Sequence, residues 1–297
     1  MKRYWGAAVL AGCLLNGATA MATELWDPHL RGIGEGLAAG ALPPEGFYFI
    51  NNSYFLSYQG TNNSGNKTSL KVDAYVDVPI LLWNPGVKVL GADYAMGIAQ
   101  PFDNVSASSD TITQGNSHWG NFNTVLIPGA LSWALPNDFH VATSLAVYLD
   151  DASSSPAHPP SNGGLGSGNG YWTIEPTVGI SWLHDGWNLS ADIHYDYNGK
   201  DDSTHYQSGD QIAVDYTATK TIGKWTLGLG AYQENQLAKD EKNGAKVSGS
   251  MVQNLGAGPI VGYAFEGISL TATYNREILT HNDVGGDFFN VRAVVPF

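Results

Sequence analysis

A chain of 297 residues with 36 glycines, 11% aromatic and only 14% charged residues is too sparsely charged for an ordinary soluble domain, where about a quarter would be typical. Its formal charge of −13, which becomes −15 if Lys2 and Arg3 are removed, excludes nucleic acid as a partner, since phosphate binding needs clustered Lys and Arg. After residue 22 no window holds about 18 consecutive apolar residues, which excludes helical membrane spans.

The chain opens on Lys2 and Arg3, an apolar run from Tyr4 to Leu15, and small-x-small cleavage sites at Ala18-Thr19-Ala20 or Ala20-Met21-Ala22. This is the layout of a cleavable signal peptide over residues 1–22, and the run is too short to span a bilayer. Leu10-Ala11-Gly12-Cys13 also matches a lipoprotein box, but the residues after Cys13 stay apolar, as an h-region does. Cleavage beyond Cys13 leaves no cysteine for a disulfide, a thiolate nucleophile or a metal. Residues 23–44 are too rich in Gly and Ala for a strand. Leu30, Ile33, Leu37 and Leu42 suit a short helix tucked into the following domain as a plug, with a periplasmic tail as the alternative.

From residue 45 the pattern changes to a period of two. Leu70, Val72, Ala74, Val76, Val78, Ile80 and Leu82 alternate with residues that include Lys71, Asp73, Tyr75 and Asp77, and 139–149 and 187–197 repeat the pattern. Such alternation marks strands with one apolar and one polar face, and each run reaches the 9 to 11 residues that cross a bilayer at a tilt. Twelve runs can be counted: 45–58, 69–83, 87–101, 119–135, 139–150, 171–184, 187–198, 207–221, 224–236, 248–265, 268–279 and 287–297. The connections alternate between short turns, such as Asp185-Gly186 and Glu266-Gly267, and longer polar loops, the longest over 151–170. An even strand count with this asymmetry predicts an all-β fold, a transmembrane antiparallel β-barrel of about twelve strands over 45–297 in the outer membrane of a Gram-negative bacterium.

Trp133, Phe139, Trp182, Trp187, Trp225, Phe265 and Phe297 lie beside short turns or the chain end and read as a periplasmic girdle; Trp172, Tyr197, Tyr274 and Phe289 suit an outer one. A terminal Phe297 closing an alternating strand is the expected recognition end for the barrel assembly machinery. The other expected partners are outer-membrane lipid and small-molecule solutes.

Several segments resemble the family of the MetA pathway of phenol degradation, a group of outer-membrane transporters. They are Leu42-Pro43-Pro44-Glu45-Gly46, Tyr206-Gln207-Ser208-Gly209, Gly228-Leu229-Gly230-Ala231-Tyr232 leading to Gln236 and Asp240, and Gly256-Ala257-Gly258-Pro259, in that order. Leu149-Asp150-Asp151 departs from the family pattern at the end of the fifth strand. The resemblance implies a channel for aromatic or otherwise hydrophobic compounds and carries over no functional residue.

Taking the polar face as the inner one puts Asp73, Asp77, Asp93, Asp192, His194, Asp196, Asp215 and Arg292 in the lumen, with Lys71, Glu175, Glu234 and Glu277. Four mid-strand carboxylates, Asp77, Asp93, Asp192 and Asp215, opposed by Arg292, predict a mild preference for cations. Other readings are an outer-membrane lipase or acyltransferase and an adhesive or structural barrel. His118, His158, His205 and His281 lie in predicted loops near Ser117 and Ser203, but no Gly-x-Ser-x-Gly or His-Glu-x-x-His motif is present. No catalytic residue, cofactor or metal ligand is assigned.

Overall fold

The computed structural model describes residues 26–110, 118–160 and 165–297. The signal-peptide reading, Cys13 and Ser117 lie outside the described residues. Twelve strands form the wall: β1 (Gly46–Thr61), β2 (Lys67–Asn84), β3 in two pieces (Ala92–Ala99 and Phe102–Ser108), β4 in two pieces (His118–Asn121 and Val125–Ala134), β5 (Phe139–Tyr148), β6 (Thr173–His184), β7 (Trp187–Asn198), β8 (Gln211–Ile222), β9 (Trp225–Gln236), β10 (Gln253–Phe265), β11 (Ile268–His281) and β12 (Val284–Pro296). Each pairs antiparallel with its neighbours, and β1 pairs with β12 from Tyr48↔Pro296 to Gly60↔Val284, which closes the barrel and leaves its strands no free edge at the seam.

Tight turns close one end. Asp185-Gly186 and Glu266-Gly267 both adopt positive φ at each residue (47° and 74°; 48° and 83°), the mirror-image turn whose twist matches a hairpin. At the other end, Lys200–Asp201, Tyr206–Gln207, Glu241–Lys242 and Ala245–Lys246 build a small four-stranded sheet above the rim.

The third predicted run stops at Pro101, yet the strand resumes at Phe102 and pairs with β2 from Asp77↔Phe102 to Lys71↔Ser108. Proline lacks the N–H that a central strand must donate. It is accommodated because β4 breaks at the same level, over residues 122–124, and side chains bridge the gap. Gln100 Nε2 donates to Phe122 O at 3.0 Å, Thr124 Oγ1 to Asp151 Oδ2 at 2.6 Å, and Asn123 Nδ2 to Leu149 O at 2.5 Å.

The outer surface carries aromatic residues at both levels. At the short-turn end Phe47 stacks on Trp83 (5.3 Å between centroids) and on Phe297 (5.9 Å), while Trp225 meets Tyr263 edge-on (4.8 Å). At the other end Phe55 contacts Tyr75 and Phe289, Tyr75 contacts Trp119, and Trp172 contacts Tyr197. Between the levels the exposed side chains are Leu81, Ile98, Val178, Ile180, Leu189, Leu227, Leu229 and Val261. This is the apolar band between two aromatic belts that a lipid-embedded barrel presents.

The interior has two unlike sides. From β6 round to β12 it is polar: Glu175, Asp192, His194, Asp196, Asp215, Glu234, Asn254, Asn275 and Arg292 point inward. Along β2 to β5 it is apolar. Val72, Val78, Ala99, Val105, Val125 and Ala146 are all buried, with Ala74, Val76 and Ile80 completing the same face. The period of two in β2 is present, but its faces are reversed from the expectation. Asp73 and Asp77 sit on the outer surface, opposite Ser57 and Ser53 of β1, and Lys71 shares their side. Alternation shows only that two faces differ. Here the inner face is apolar because it looks onto leucine and isoleucine of a segment inside the barrel, not onto water.

Candidate functional site

Residues 26–44 run through the lumen. Near the long-loop end, Trp26 donates its indole N–H to Gly166 O (2.8 Å) and exchanges backbone hydrogen bonds with the Asn169 side chain. At the short-turn end, Gly40 donates to Ser181 Oγ and accepts from Ser132 Oγ, both at 2.8 Å, and Asn84 Nδ2 donates to Pro43 O at 2.8 Å. The segment is a chain of turns and not the short helix its leucine spacing suggests: Ile33, Glu35, Leu37 and Ala41 each donate to the carbonyl three residues back. Positive φ at Gly32 (70°) and Gly36 (83°) breaks helical continuity at both positions. The exposed N–H groups that this leaves are taken up by the wall.

Three groups of wall side chains hold the segment. Arg31, 6% exposed, donates Nε to Glu234 at 2.5 Å, Nη2 to Asp27 at 2.9 Å and to Asp283, and Nη1 to Val284 O at 2.7 Å. Asp215 accepts from Gly32 N (3.0 Å) and Gly34 N (2.7 Å), and Thr217 Oγ1 from Gly36 N (2.8 Å). Arg292, 2% exposed, reaches across from Asn52 (2.9 Å) to donate to Glu35 O (2.7 Å) and Ile33 O. Glu35 is itself fully buried and accepts from Asn275 Nδ2 at 2.7 Å. The two guanidinium groups and Asp215 are thus held by charge-assisted bonds, the form in which buried charge is tolerable.

On the opposite side Leu30 and Ile33 pack against the buried cluster of Val78, Ala99, Val125 and Ala146, with Val76 and Ile80 beside it. Between them lies a cavity of ≈ 320 Å³, extending from Trp26 and Ser167 at one end past Pro101 and Phe122 to Leu37 and Ile50 at the other. Apolar side chains make up most of the cavity's lining, and the anchors Arg31, Asp283 and Arg292, with His29 and His194, border it on the polar side.

The predicted site residues thus separate into four places. Asp192, His194, Asp196 and Asp215 come together on β7 and β8, where His194 Nδ1 meets Glu175 at 2.9 Å. Arg292 faces them across the lumen with the segment between. Asp93 lies near the start of β3 at the short-turn end, where it pairs in register with Ser132 of β4, exposed and ion-paired with Lys88 at 2.7 Å. Asp73 and Asp77 are outside; Asp77 accepts from Asn51 (2.8 Å) and Ser53 (2.9 Å) on the outer surface. Four carboxylates do not ring an open passage, and Asp215 is occupied by backbone N–H groups of the segment. The sequence reading missed Asp27, His29, Arg31 and Glu35, polar residues of a segment read only for its leucines. Their interleaving with Leu30, Ile33 and Leu37 was the available signal.

The barrel is similar to solved outer-membrane structures. The COG4313 outer membrane channel from Pseudomonas putida F1 superposes with a TM-score of 0.76 at 14% identity, over 87% of this chain and 98% of that one. The translocator domain of the autotransporter NalP from Neisseria meningitidis gives a TM-score of 0.51 at 10% identity, over 87% and 91%. These likenesses concern the fold. No curated protein matches the sequence. Residues 58–293, most of the barrel, match the family described as "Putative MetA-pathway of phenol degradation", and the chain belongs to that family.

Proposed function

We propose that the protein is a non-catalytic outer-membrane channel for small, largely apolar molecules of the size of a monoaromatic ring, with residues 26–44 as a plug. The observation that carries this reading is the asymmetry of the lumen. A polar side grips the segment, and an apolar side with a ≈ 320 Å³ cavity is left for a guest. An apolar cavity of about 150 Å³ is enough to hold benzene, so this one accommodates a substituted ring with room to move. The phenol degradation for which the family is named points the same way, and the Pseudomonas protein of like fold is itself an outer membrane channel.

The plug's contacts decide what moves. Leu30 and Ile33 touch the cavity wall through dispersion alone, whereas the backbone is held on the far side by Asp215, Thr217 and Arg292. A guest can replace apolar contacts at little cost while the anchors stay in place. Water and ions gain nothing from entering such a space, so the closed state resists leakage. This makes the lumen a solute path before it is an ion path, and any cation preference requires the segment to withdraw and free the carboxylates.

The test is calorimetric titration of the purified barrel with phenol and toluene. Saturable binding near one equivalent, abolished by Val78→Asp and retained in Asp77→Asn, supports the reading. Equal loss in both variants, or no saturable binding by the parent, refutes it.

A further inference from the structure

One cluster is unexplained by solute passage. His29 of the plug and His194 of β7 lie with ring centroids 4.0 Å apart, 2% and 7% exposed. Glu175 sits behind both rings: its Oε1 is 2.9 Å from His194 Nδ1 and its Oε2 3.5 Å from His29 Nδ1. Both Nε2 atoms then face forward, buried and without a hydrogen-bond partner. What they face is a pair of carboxylates. His29 Nε2 is 3.5 Å from Asp215 Oδ2, and His194 Nε2 is 3.3 Å from Asp192 Oδ2. Asp192 and Asp215 are themselves directly opposite partners on adjacent strands, an arrangement that like charges disfavour.

We propose that His29, His194, Asp215 and Asp192 form a binding site for a divalent transition-metal ion of the zinc type, which fastens the plug to the wall. One ligand atom from each of His29, His194 and Asp215 lies within 4.8 Å of the others. A tetrahedral zinc ion with bonds of about 2.0 to 2.1 Å sets its ligands about 3.3 Å apart, which the two nitrogen–oxygen separations approach. Two neutral imidazoles and two carboxylates balance a double positive charge. Imidazole donors select zinc, copper or nickel over magnesium and calcium, which take oxygen. Glu175 supplies the outer carboxylate that orients metal-bound histidines by accepting from their other nitrogen. Nothing in the sequence hints at the site, because its ligands stand at positions 29, 192, 194 and 215 and only the threading of the plug unites them. Asp27, Glu234 and Asp283 form a second convergent group, but the Arg31 guanidinium already fills it.

The site borders the solute cavity, whose lining includes His29, Glu175, Asp192 and His194, but its test reads metal binding and is separate from the test of solute binding. Purified full-length barrel in detergent is titrated with Zn²⁺ by calorimetry and with Co²⁺ by visible absorption. One equivalent should bind, protons should be released where imidazolium is displaced, and bound Co²⁺ should show the intense absorption of a four-coordinate site. His29→Ala should weaken binding at least a hundredfold, and Glu175→Gln tenfold to a hundredfold. His281→Ala, on the outer side of β11, should leave it unchanged. His29 belongs to no strand, so its variant tests the site even if His194→Ala assembles poorly; heat-modifiability on gels reports assembly for each. Absence of stoichiometric binding, or binding that survives His29→Ala, overturns the proposal and leaves the cluster as a network of histidines and carboxylates that only packs the plug against the wall.

Discussion

Replacing Arg31 by methionine is the sharpest probe of what holds the plug. The side chain is buried among Asp27, Glu234 and Asp283, with Glu234 at 2.5 Å, and methionine fills similar space without charge. Removing one partner of a buried ionic cluster costs about 3 to 5 kcal/mol, because the carboxylates left behind are neither paired nor hydrated. That cost falls on the plugged state alone. With the segment withdrawn, Glu234 and Asp283 face water in the lumen and lose little. The plugging equilibrium should therefore shift by roughly two to nearly four powers of ten at about 1.4 kcal/mol per decade. In planar bilayers the variant should show frequent openings where the parent shows few, and added thermolysin should cut within residues 26–44. Adding Asp27→Asn, Glu234→Gln and Asp283→Asn should restore closure, since the cluster then holds no unpaired charge. Unchanged conductance and unchanged cleavage in Arg31→Met would show that this cluster does not hold the segment.

Other consequences follow from the faces assigned to each strand. Ile193→Arg, on the lipid side of β7, should destabilise the barrel by about 2 to 4 kcal/mol if it lies near the bilayer midplane, read as a lower urea midpoint. Asp77→Leu should be tolerated or stabilising, because it removes a carboxylate from the outer surface. Val76→Arg should leave the urea midpoint less affected than Ile193→Arg and instead abolish phenol binding. Deleting Phe297, whose ring stacks on Phe47 beside the seam, should reduce assembly in outer membranes, seen as less heat-modifiable protein.

Strand number, turn positions and girdles were legible because each rests on local chemistry: period-two alternation, glycine turns and aromatic residues next to them. The inner face of β2 was not, because alternation carries no sign. Trp83 held the missing sign. It stands beside the Asn84-Pro85-Gly86 turn at odd parity, and the rule that put Trp187 and Trp225 outside would have put Asp77 and Asp73 outside with it. The site was legible only in part. Asp192, His194 and Asp215 share the parity of a strand pair, but His29 reaches them, and Arg31 reaches Glu234 and Asp283, only through contacts distant in sequence, 203 and 252 residues apart for Arg31. No local pattern encodes such contacts.

The tightest approach between plug and wall offers a last test that involves no charge. A Cβ placed on Gly179 of β6 would lie 2.0 Å from Ala39 O, and one placed on Gly40 would lie 2.3 Å from His140 O. The missing side chain at 179 is thus the space through which the plug backbone passes. Alanine suits a strand better than glycine by roughly 0.5 to 1 kcal/mol, so Gly179→Ala should leave the wall as stable as before or slightly more so. The plug, however, must give way by more than an ångström or leave. Overpacking of this kind costs about 1 to 3 kcal/mol, enough to favour the open state by roughly five- to 150-fold. Higher conductance with an undiminished urea midpoint is the expected pair of results. A lowered midpoint with parental conductance would mean that the wall yields and the plug does not, and that the segment is a fixed part of the barrel.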